Sequence, residues 1–108
     1  MFTAEPRVRV TGTAAKGEIF PVKVLITHLM ETGLRRDDQG DIIPRKIINK
    51  FVCRYAGVVV FSADFHESVA ANPYVEFHLR ATQTGLLEFI WEEDGGAVSR
   101  LEHQLTVG

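Results

Sequence analysis

Residues 74–81 read YVEFHLRA, and this alternation of apolar and polar side chains decides the fold class. Val75, Phe77 and Leu79 fall on one side of an extended chain, and the residues between them fall on the other. Because successive side chains of a β-strand point to opposite faces, the pattern predicts a strand with one face buried in a core.

The same period of two recurs on both sides of this stretch. It predicts strands at residues 7–10, 18–30, 47–55, 58–63, 74–81, 86–92 and 98–107. Turn signals separate them, among them the segment 13–17 and the hairpin signal Asp94-Gly95-Gly96. Pro21 cannot donate to a ladder and predicts an edge-like or bulged position, and residues 67–71 predict one helical turn at most.

Seven short strands without a long helix are typical of an all-β domain. We expect one domain over residues 1–108, an immunoglobulin-like antiparallel β-sandwich of about seven strands. A small Greek-key barrel is the alternative. The alternation assigns the following residues to inward faces: Phe20, Val22, Val24, Ile26, His28, Met30; Ile47, Asn49, Phe51, Cys53, Tyr55; Val75, Phe77, Leu79; Leu87, Phe89, Trp91; and Leu101, Leu105, Val107, with Ser99 and His103 beside them.

The composition is that of an ordinary globular domain. The chain has 108 residues, 45% hydrophobic and 24% charged, with a formal net charge of -2. This near-neutral balance argues against nucleic-acid binding, and no apolar run approaches the ~20 residues that a membrane-spanning helix needs. Residues 1–7 lack the pattern of a secretory signal, which by itself predicts a cytoplasmic protein.

The residues do not predict an enzyme. The serines Ser62, Ser68 and Ser99 lie in strand or loop contexts without an adjacent base. The four histidines show none of the short paired spacings of zinc sites. We therefore expect no catalytic residues, no metal and no cofactor.

Cys53 is the single cysteine of the chain. Its neighbours Phe51 and Val52 are apolar, so the favoured interpretation is a small buried hydrophobic residue with an inert thiol. The alternative is a reactive thiol, for which His28 would be the candidate base.

The segment between the second and third predicted strands is too long for a tight hairpin. Loops of this size without regular structure are uncommon unless they bind something. Arg35 and Arg36 precede Asp37 and Asp38, so a solvated, internally paired loop is one interpretation. The other is a contact surface whose arginines bind carboxylates or a small oxyanion, with an apolar rim around them. The candidate partner-binding residues are Met30, Glu31, Leu34, Arg35, Arg36, Ile43, Arg45 and Lys46.

A second charged run, residues 92–94, ends at the predicted hairpin turn. The sequence EED here is acidic, which would repel phosphate. We expect a solvated hairpin tip.

Five segments of the chain together resemble the SoxZ family of sulfur-oxidation proteins. They are residues 30–37, 43–55, 60–64, 70–74 and the hairpin at 85–95. The resemblance covers essentially the whole chain and implies an immunoglobulin-like sandwich. It also implies a non-catalytic subunit of the SoxYZ carrier complex in thiosulfate oxidation. In that complex the partner SoxY carries the sulfur substrate on a C-terminal cysteine, and other Sox enzymes act through the complex.

The resemblance also changes the expected location. Members of the family work in the periplasm and are exported together with SoxY, so the cytoplasmic expectation is replaced by a periplasmic one. Two alternatives stay open from the residues: a module that binds sulfur directly on Cys53, and a self-associating module that forms homo-oligomers, for example by extending a sheet edge.

Overall fold

The structure is a computed structural model, and it describes residues 5–27, 33–43, 45–66 and 74–108. These ranges contain eight strands and no helix. The strands are β1 Glu5–Arg9, β2 Thr13–Ala14, β3 Ile19–Thr27, β4 Ile48–Tyr55, β5 Val58–Asp64, β6 Tyr74–Arg80, β7 Gly85–Glu93 and β8 Val98–Val107. Accordingly, no helix suited to crossing a membrane occurs in the described ranges.

The strands form two sheets. One has three strands in the order β1-β3-β6, and the other has five in the order β2-β8-β7-β4-β5. All neighbouring strands are antiparallel except β2, which runs parallel to β8. The immunoglobulin-like β-sandwich predicted from the alternation is thereby confirmed, in preference to a closed barrel.

The turn predicted at residues 13–17 is wrong at its first two positions. Thr13 and Ala14 pair with Thr106 and Val107 as the short strand β2, and only the following residues turn. Two residues are too few to show a period in the sequence, and their partners lie at the other end of the chain. Only the packed structure brings this pair together.

Alternate residues of the long strands meet between the two sheets. The buried hydrophobic residues are Ala14, Phe20, Val22, Val24, Ile26, Ile47, Ile48, Phe51, Cys53, Tyr55, Phe77, Leu79, Ala81, Leu87, Phe89, Trp91 and Leu105. The inward faces predicted for β3, β6 and β7 are confirmed, although Val75 is only half-buried. His28, Met30 and the helical turn at 67–71 lie outside the described residues.

Aromatic rings join the sheets. Phe77 of β6 lies 6.1 Å from Phe51 of β4 and 4.2 Å from Phe61 of β5, between ring centroids. Phe51 also lies 5.1 Å from Trp91 of β7 and 6.5 Å from Phe89. Such ring pairs add stabilisation of ~0.5–1.5 kcal/mol beyond the area they bury.

The start of β4 departs from strict alternation. A register shift between Ile48 and Lys50 lets both Ile47 and Ile48 become buried, while Asn49 is only half-buried. The prediction that Asn49 faces the core was therefore wrong in part. The side-chain amide of Asn49 donates a hydrogen bond to Asp94.

The edge position predicted for Pro21 is found only locally and not for the whole strand. Strand β3 is the middle strand of its sheet, but its pairing with β1 ends at Arg9 and Lys23. Pro21 is paired with His78 of β6 on one side and lies beyond the end of β1 on the other. A residue without an N–H is tolerated there.

Candidate functional site

Part of the long connection between β3 and β4 is a small β-hairpin, residues 33–43. Arg36 forms an isolated antiparallel bridge with Ile42. The Ile43 N–H donates to the Arg35 carbonyl at 2.8 Å, and the Asp37 N–H donates to the Asp41 carbonyl at 2.8 Å. The expectation of a connection without regular structure is thus wrong for this part.

The tip of the 33–43 hairpin is fixed by side-chain and backbone hydrogen bonds. Gly40 has a φ of 85°, and its N–H donates to the Asp37 carbonyl at 3.0 Å. Asp37 Oδ1 accepts from the N–H groups of Gln39 and Asp41 at 2.9 and 3.0 Å. Arg36 Nη1 donates to the Gly40 carbonyl at 2.8 Å. A three-residue turn with glycine in the left-handed region is a common hairpin geometry.

The hairpin presents apolar side chains to solvent. Leu34 is 86% exposed and Ile42 is 57% exposed. The neighbouring Arg35 and Arg36 are exposed as well, and Ile43 is half-buried. Exposed apolar groups beside arginines are the composition that protein interfaces favour.

The two ends of the hairpin segment approach each other at Gly33 and Arg45. Gly33 has a φ of 84°, and a Cβ built there would lie 3.2 Å from the Arg45 Cβ. Any larger residue at this position would need both an unfavourable backbone conformation and a shift of its neighbour. The base of the hairpin is therefore narrow.

Asp94, at the β7–β8 turn, holds this base to the five-stranded sheet. Its Oδ2 accepts from Arg45 Nε at 2.8 Å and from the Ile47 N–H at 3.2 Å. Its Oδ1 accepts from Arg45 Nη2 and Asn49 Nδ2, each at 3.0 Å. The Asp94 N–H donates in turn to the Ile47 carbonyl at 3.0 Å. We call this group of four residues the Asp94 clamp.

The clamp changes the ionisation of its central carboxylate. The bidentate hydrogen bonds from the Arg45 guanidinium outweigh the effect of burial, and with those from Asn49 and Ile47 they lower the pKa of Asp94 below its ordinary value. Two-fold pairing of arginine with a carboxylate is among the stronger polar contacts in proteins.

The clamp corrects the expectation of a solvated tip at residues 92–94. The Asp94 side chain is only 18% exposed because it is bound by groups far along the chain. The sequence offered no signal for this, since an acidic run before Gly-Gly is typical of an exposed turn. The guanidinium of Arg45 binds Asp94, and Lys46 beside it is exposed; partner binding by these two residues stays a prediction.

Cys53 lies in the core, fully buried between the sheets. Burial raises the pKa of its thiol to about 12, so the reactive thiolate is scarce at neutral pH. The interpretation of Cys53 as a small buried hydrophobic residue is confirmed. His28, the candidate base, lies outside the described residues.

The predicted partner-binding residues therefore lie in different parts of the structure. Leu34, Arg35, Arg36 and Ile43 lie on one hairpin, Arg45 lies at its base, and Met30 and Glu31 lie outside the described residues. Within the described ranges, no group of three or more histidine, cysteine or acidic residues is placed to hold a metal ion.

Solved structures with the same fold include proteins of two kinds. A superoxide reductase (neelaredoxin) from Ignicoccus hospitalis matches with a TM-score of 0.69 and 15% identity, over 95% of this chain and 80% of its own. A variant of that protein gives 0.72, again with 15% identity, over 95% of this chain and 79% of that chain. The sulfur carrier protein SoxY from Chlorobium limicola f thiosulfatophilum gives 0.65 and 17% identity, over 95% of this chain and 78% of its own. Identities this low establish the shared fold alone.

The sequence comparisons are more specific. No curated protein matches the chain. The family described as "Sulphur oxidation protein SoxZ" matches residues 8–104, which is nearly the whole sequence and includes the 33–43 hairpin and the Asp94 clamp. This chain therefore belongs to the SoxZ family of sulphur oxidation proteins.

Proposed function

We propose that this protein is a non-catalytic binding subunit that forms a heterodimer with a SoxY-type sulfur carrier. The carrier holds the sulfur substrate of thiosulfate oxidation on its own C-terminal cysteine, and other Sox enzymes act on that substrate through the complex. The family match over residues 8–104 is the observation that carries the proposal.

The geometry of the 33–43 hairpin supports a binding role. Leu34 and Ile42 leave apolar area exposed, and Arg36 stands beside them. Burying such groups against a partner contributes roughly 25 cal/mol per Å² of apolar surface. The other predicted contacts of the same surface are Met30, Glu31, Arg35, Ile43, Arg45 and Lys46.

The Asp94 clamp supports the same role. It fixes the base of the hairpin to the five-stranded sheet through Arg45 and Asn49. A binding element held in one orientation loses less conformational entropy on association than a free loop does. The clamp would thus raise affinity by fixing the orientation of the hairpin.

Co-purification with the cognate SoxY-type protein tests the heterodimer. Both chains are expressed together with an affinity tag on the carrier only, and the eluate is analysed by sedimentation at micromolar concentration. We expect one species with equal amounts of the two chains. Separate sedimentation of two folded proteins contradicts the proposal.

Intact-mass spectrometry tests which chain carries sulfur. After the complex is incubated with thiosulfate and the Sox enzymes, the added mass is expected on the carrier and not on this chain, because Cys53 is buried. A sulfur adduct on Cys53 in the native complex would favour the direct sulfur-binding alternative instead.

We also propose that the protein works in the periplasm after export with its carrier. Cell fractionation tests this part separately. The chain is expected in the periplasmic fraction when a signal-bearing carrier is co-expressed, and in the cytoplasmic fraction when the signal of the carrier is deleted. Periplasmic recovery in both cases would contradict joint export.

A further inference from the structure

The outer face of the three-stranded sheet carries a depression that the proposed carrier contact does not use. Its volume is about 520 Å³, and its lining includes Arg7, Arg9, Lys23, Leu25 and Tyr74. We call these five residues the basic trough. None of them belongs to the 33–43 hairpin or to the Asp94 clamp.

Strand register places these side chains on one face. Arg7 pairs with Leu25, and Leu25 pairs with Tyr74 across the sheet. In the next row on the same face, Arg9 pairs with Lys23, which pairs with Glu76. Residues two apart along a strand share a face, so both rows point away from the core.

The three cations of the trough form no salt bridge with a described carboxylate, although Glu76 is the cross-strand neighbour of Lys23. Arg7, Arg9 and Lys23 make no side-chain hydrogen bond or salt bridge within the described ranges, whereas Arg45 and Arg100 are bound to carboxylates. The one acid in the two rows, Glu76, accepts a hydrogen bond from the Tyr74 hydroxyl at 3.0 Å. Counted over the three strands, this face carries Arg7, Arg9, Lys23 and Arg80 against Glu5 and Glu76, so it is basic although the whole chain has a net charge of -2.

We propose that the basic trough binds an acidic, extended segment of a partner protein. Arg7 and Arg9 stand two residues apart on β1, a spacing of roughly 7 Å. An extended peptide with carboxylates at alternate positions repeats at the same spacing, so it places one acid opposite each arginine. Lys23 on the next strand adds a third cation.

The apolar and aromatic residues of the trough favour a peptide over a single ion. Leu25 is half-buried and Tyr74 is 56% exposed, and together they offer a surface for the stem of an acidic side chain. A tetrahedral oxyanion would fill only a small part of about 520 Å³. Such a contact would form quickly and weaken with salt, as contacts between exposed charges do.

Nuclear magnetic resonance titration of the full ¹⁵N-labelled chain tests the inference. The probe is a short blocked peptide in which Glu alternates with Ser, and its control has Gln in place of Glu. We expect the Glu peptide to shift the amides of Arg7, Arg9, Lys23 and Leu25, and the Gln peptide to leave them in place. Raising the salt to about 0.2 M should weaken the effect.

Matched variants separate a local site from general charge attraction. The double variant R7E/R9E is expected to lower the affinity for the Glu peptide by about tenfold. The variant K50E/R54E makes the same charge change on exposed positions of β4 and is expected to alter affinity by less than about twofold. R9Q serves as a milder second variant, and thermal unfolding checks that each protein is folded.

Three results would overturn the proposal. One is the absence of amide shifts in the trough, and another is an equal loss of affinity in both double variants. The third is saturation of the same amides by sulfate or thiosulfate alone as tightly as by the peptide, which would assign the trough to a small oxyanion. The test is independent of SoxY-type binding, so either proposal can fail without the other.

Discussion

The role of some residues is decided by their neighbours in the sequence. The role of others is decided by contacts with residues far away in the chain. Cys53 belongs to the first group, since the apolar residues around it in an alternating strand predict the burial that the structure has. Asp94 belongs to the second. Its partners Arg45 and Asn49 lie 49 and 45 residues away, so nothing local distinguishes it from an ordinary turn residue.

Replacing Asp94 by Asn should reveal the clamp as a pH-dependent contribution to stability. The Asp94 pKa is lowered in the folded state, so its contribution is complete above the unfolded pKa of about 4 and is lost as the pH falls through the folded pKa. At pH 7 we expect Asp94→Asn to lower the free energy of unfolding by roughly 1–3 kcal/mol. Toward pH 2 the difference from the unchanged protein should shrink.

Denaturant unfolding measured from pH 7 to pH 2 checks this expectation. Asp38→Asn is the matched control, because Asp38 is exposed at the hairpin tip. Its effect should stay within about 0.5 kcal/mol. The contrary result is that the free energies of unfolding of Asp94→Asn and the unchanged protein differ by the same amount at every pH. That result would mean that the carboxylate charge does not stabilise the fold.

At the scale of elements, the strands followed from the alternation and the 33–43 hairpin did not. The hairpin has a single bridge, between Arg36 and Ile42, and its ladder is too short for a period of two to stand out. The turn needs the positive φ of Gly40 together with hydrogen bonds to Asp37. Glycine alone does not specify those contacts.

Reversing the charges on the hairpin should separate binding from folding. Arg35→Glu together with Arg36→Glu is expected to weaken binding of the SoxY-type carrier at least about tenfold, because both side chains are exposed on the proposed contact surface. The melting temperature should change little, since both side chains are exposed and the Arg36 hydrogen bond to Gly40 lies at the surface. Titration calorimetry and thermal unfolding measure the two effects.

The control for the hairpin is K50E/R54E, which has the same charge change on the outer face of β4. Unaltered carrier affinity in the hairpin variant, or an equal loss in the control, would remove Arg35 and Arg36 from the proposed interface. Loss of the folded state in the hairpin variant would instead assign the two arginines a structural role.

The outer edge of the five-stranded sheet bears on the predicted self-association. Strand β5 forms this edge and exposes Val58, Val59 and Val60 at 64%, 52% and 40%. A register shift between Cys53 and Arg54 interrupts its pairing with β4. Bulges of this kind disturb the regular ladder that another strand would need, and self-association through this apolar edge stays a prediction.

At the scale of the whole molecule, aromatic residues of both sheets pack against one another in the core. Phe89 is fully buried, as the alternation predicted. We expect Phe89→Ala to lower the free energy of unfolding by about 3–5 kcal/mol, because it removes a large apolar side chain and leaves a cavity. That loss is a large fraction of the 5–15 kcal/mol typical of small domains.

Thermal and denaturant unfolding measure this loss, with Val98→Ala as the control. Val98 is 51% exposed on β8, so its truncation should cost less than about 1 kcal/mol. Equal stabilities of Phe89→Ala and the unchanged protein would mean that β7 does not face the core as described.

The sequence by itself determined the all-β class, the inward faces of β3, β6 and β7 and the inert setting of Cys53. These follow from local alternation, because a strand with one buried face has an apolar side chain at every second residue. Tertiary structure alone decided the parallel pairing of β2, the Asp94 clamp and the assembly of the basic trough. Each depends on groups that are distant in the chain and come into contact only after the sheets have packed. Short-range sequence patterns do not predict such long-range contacts.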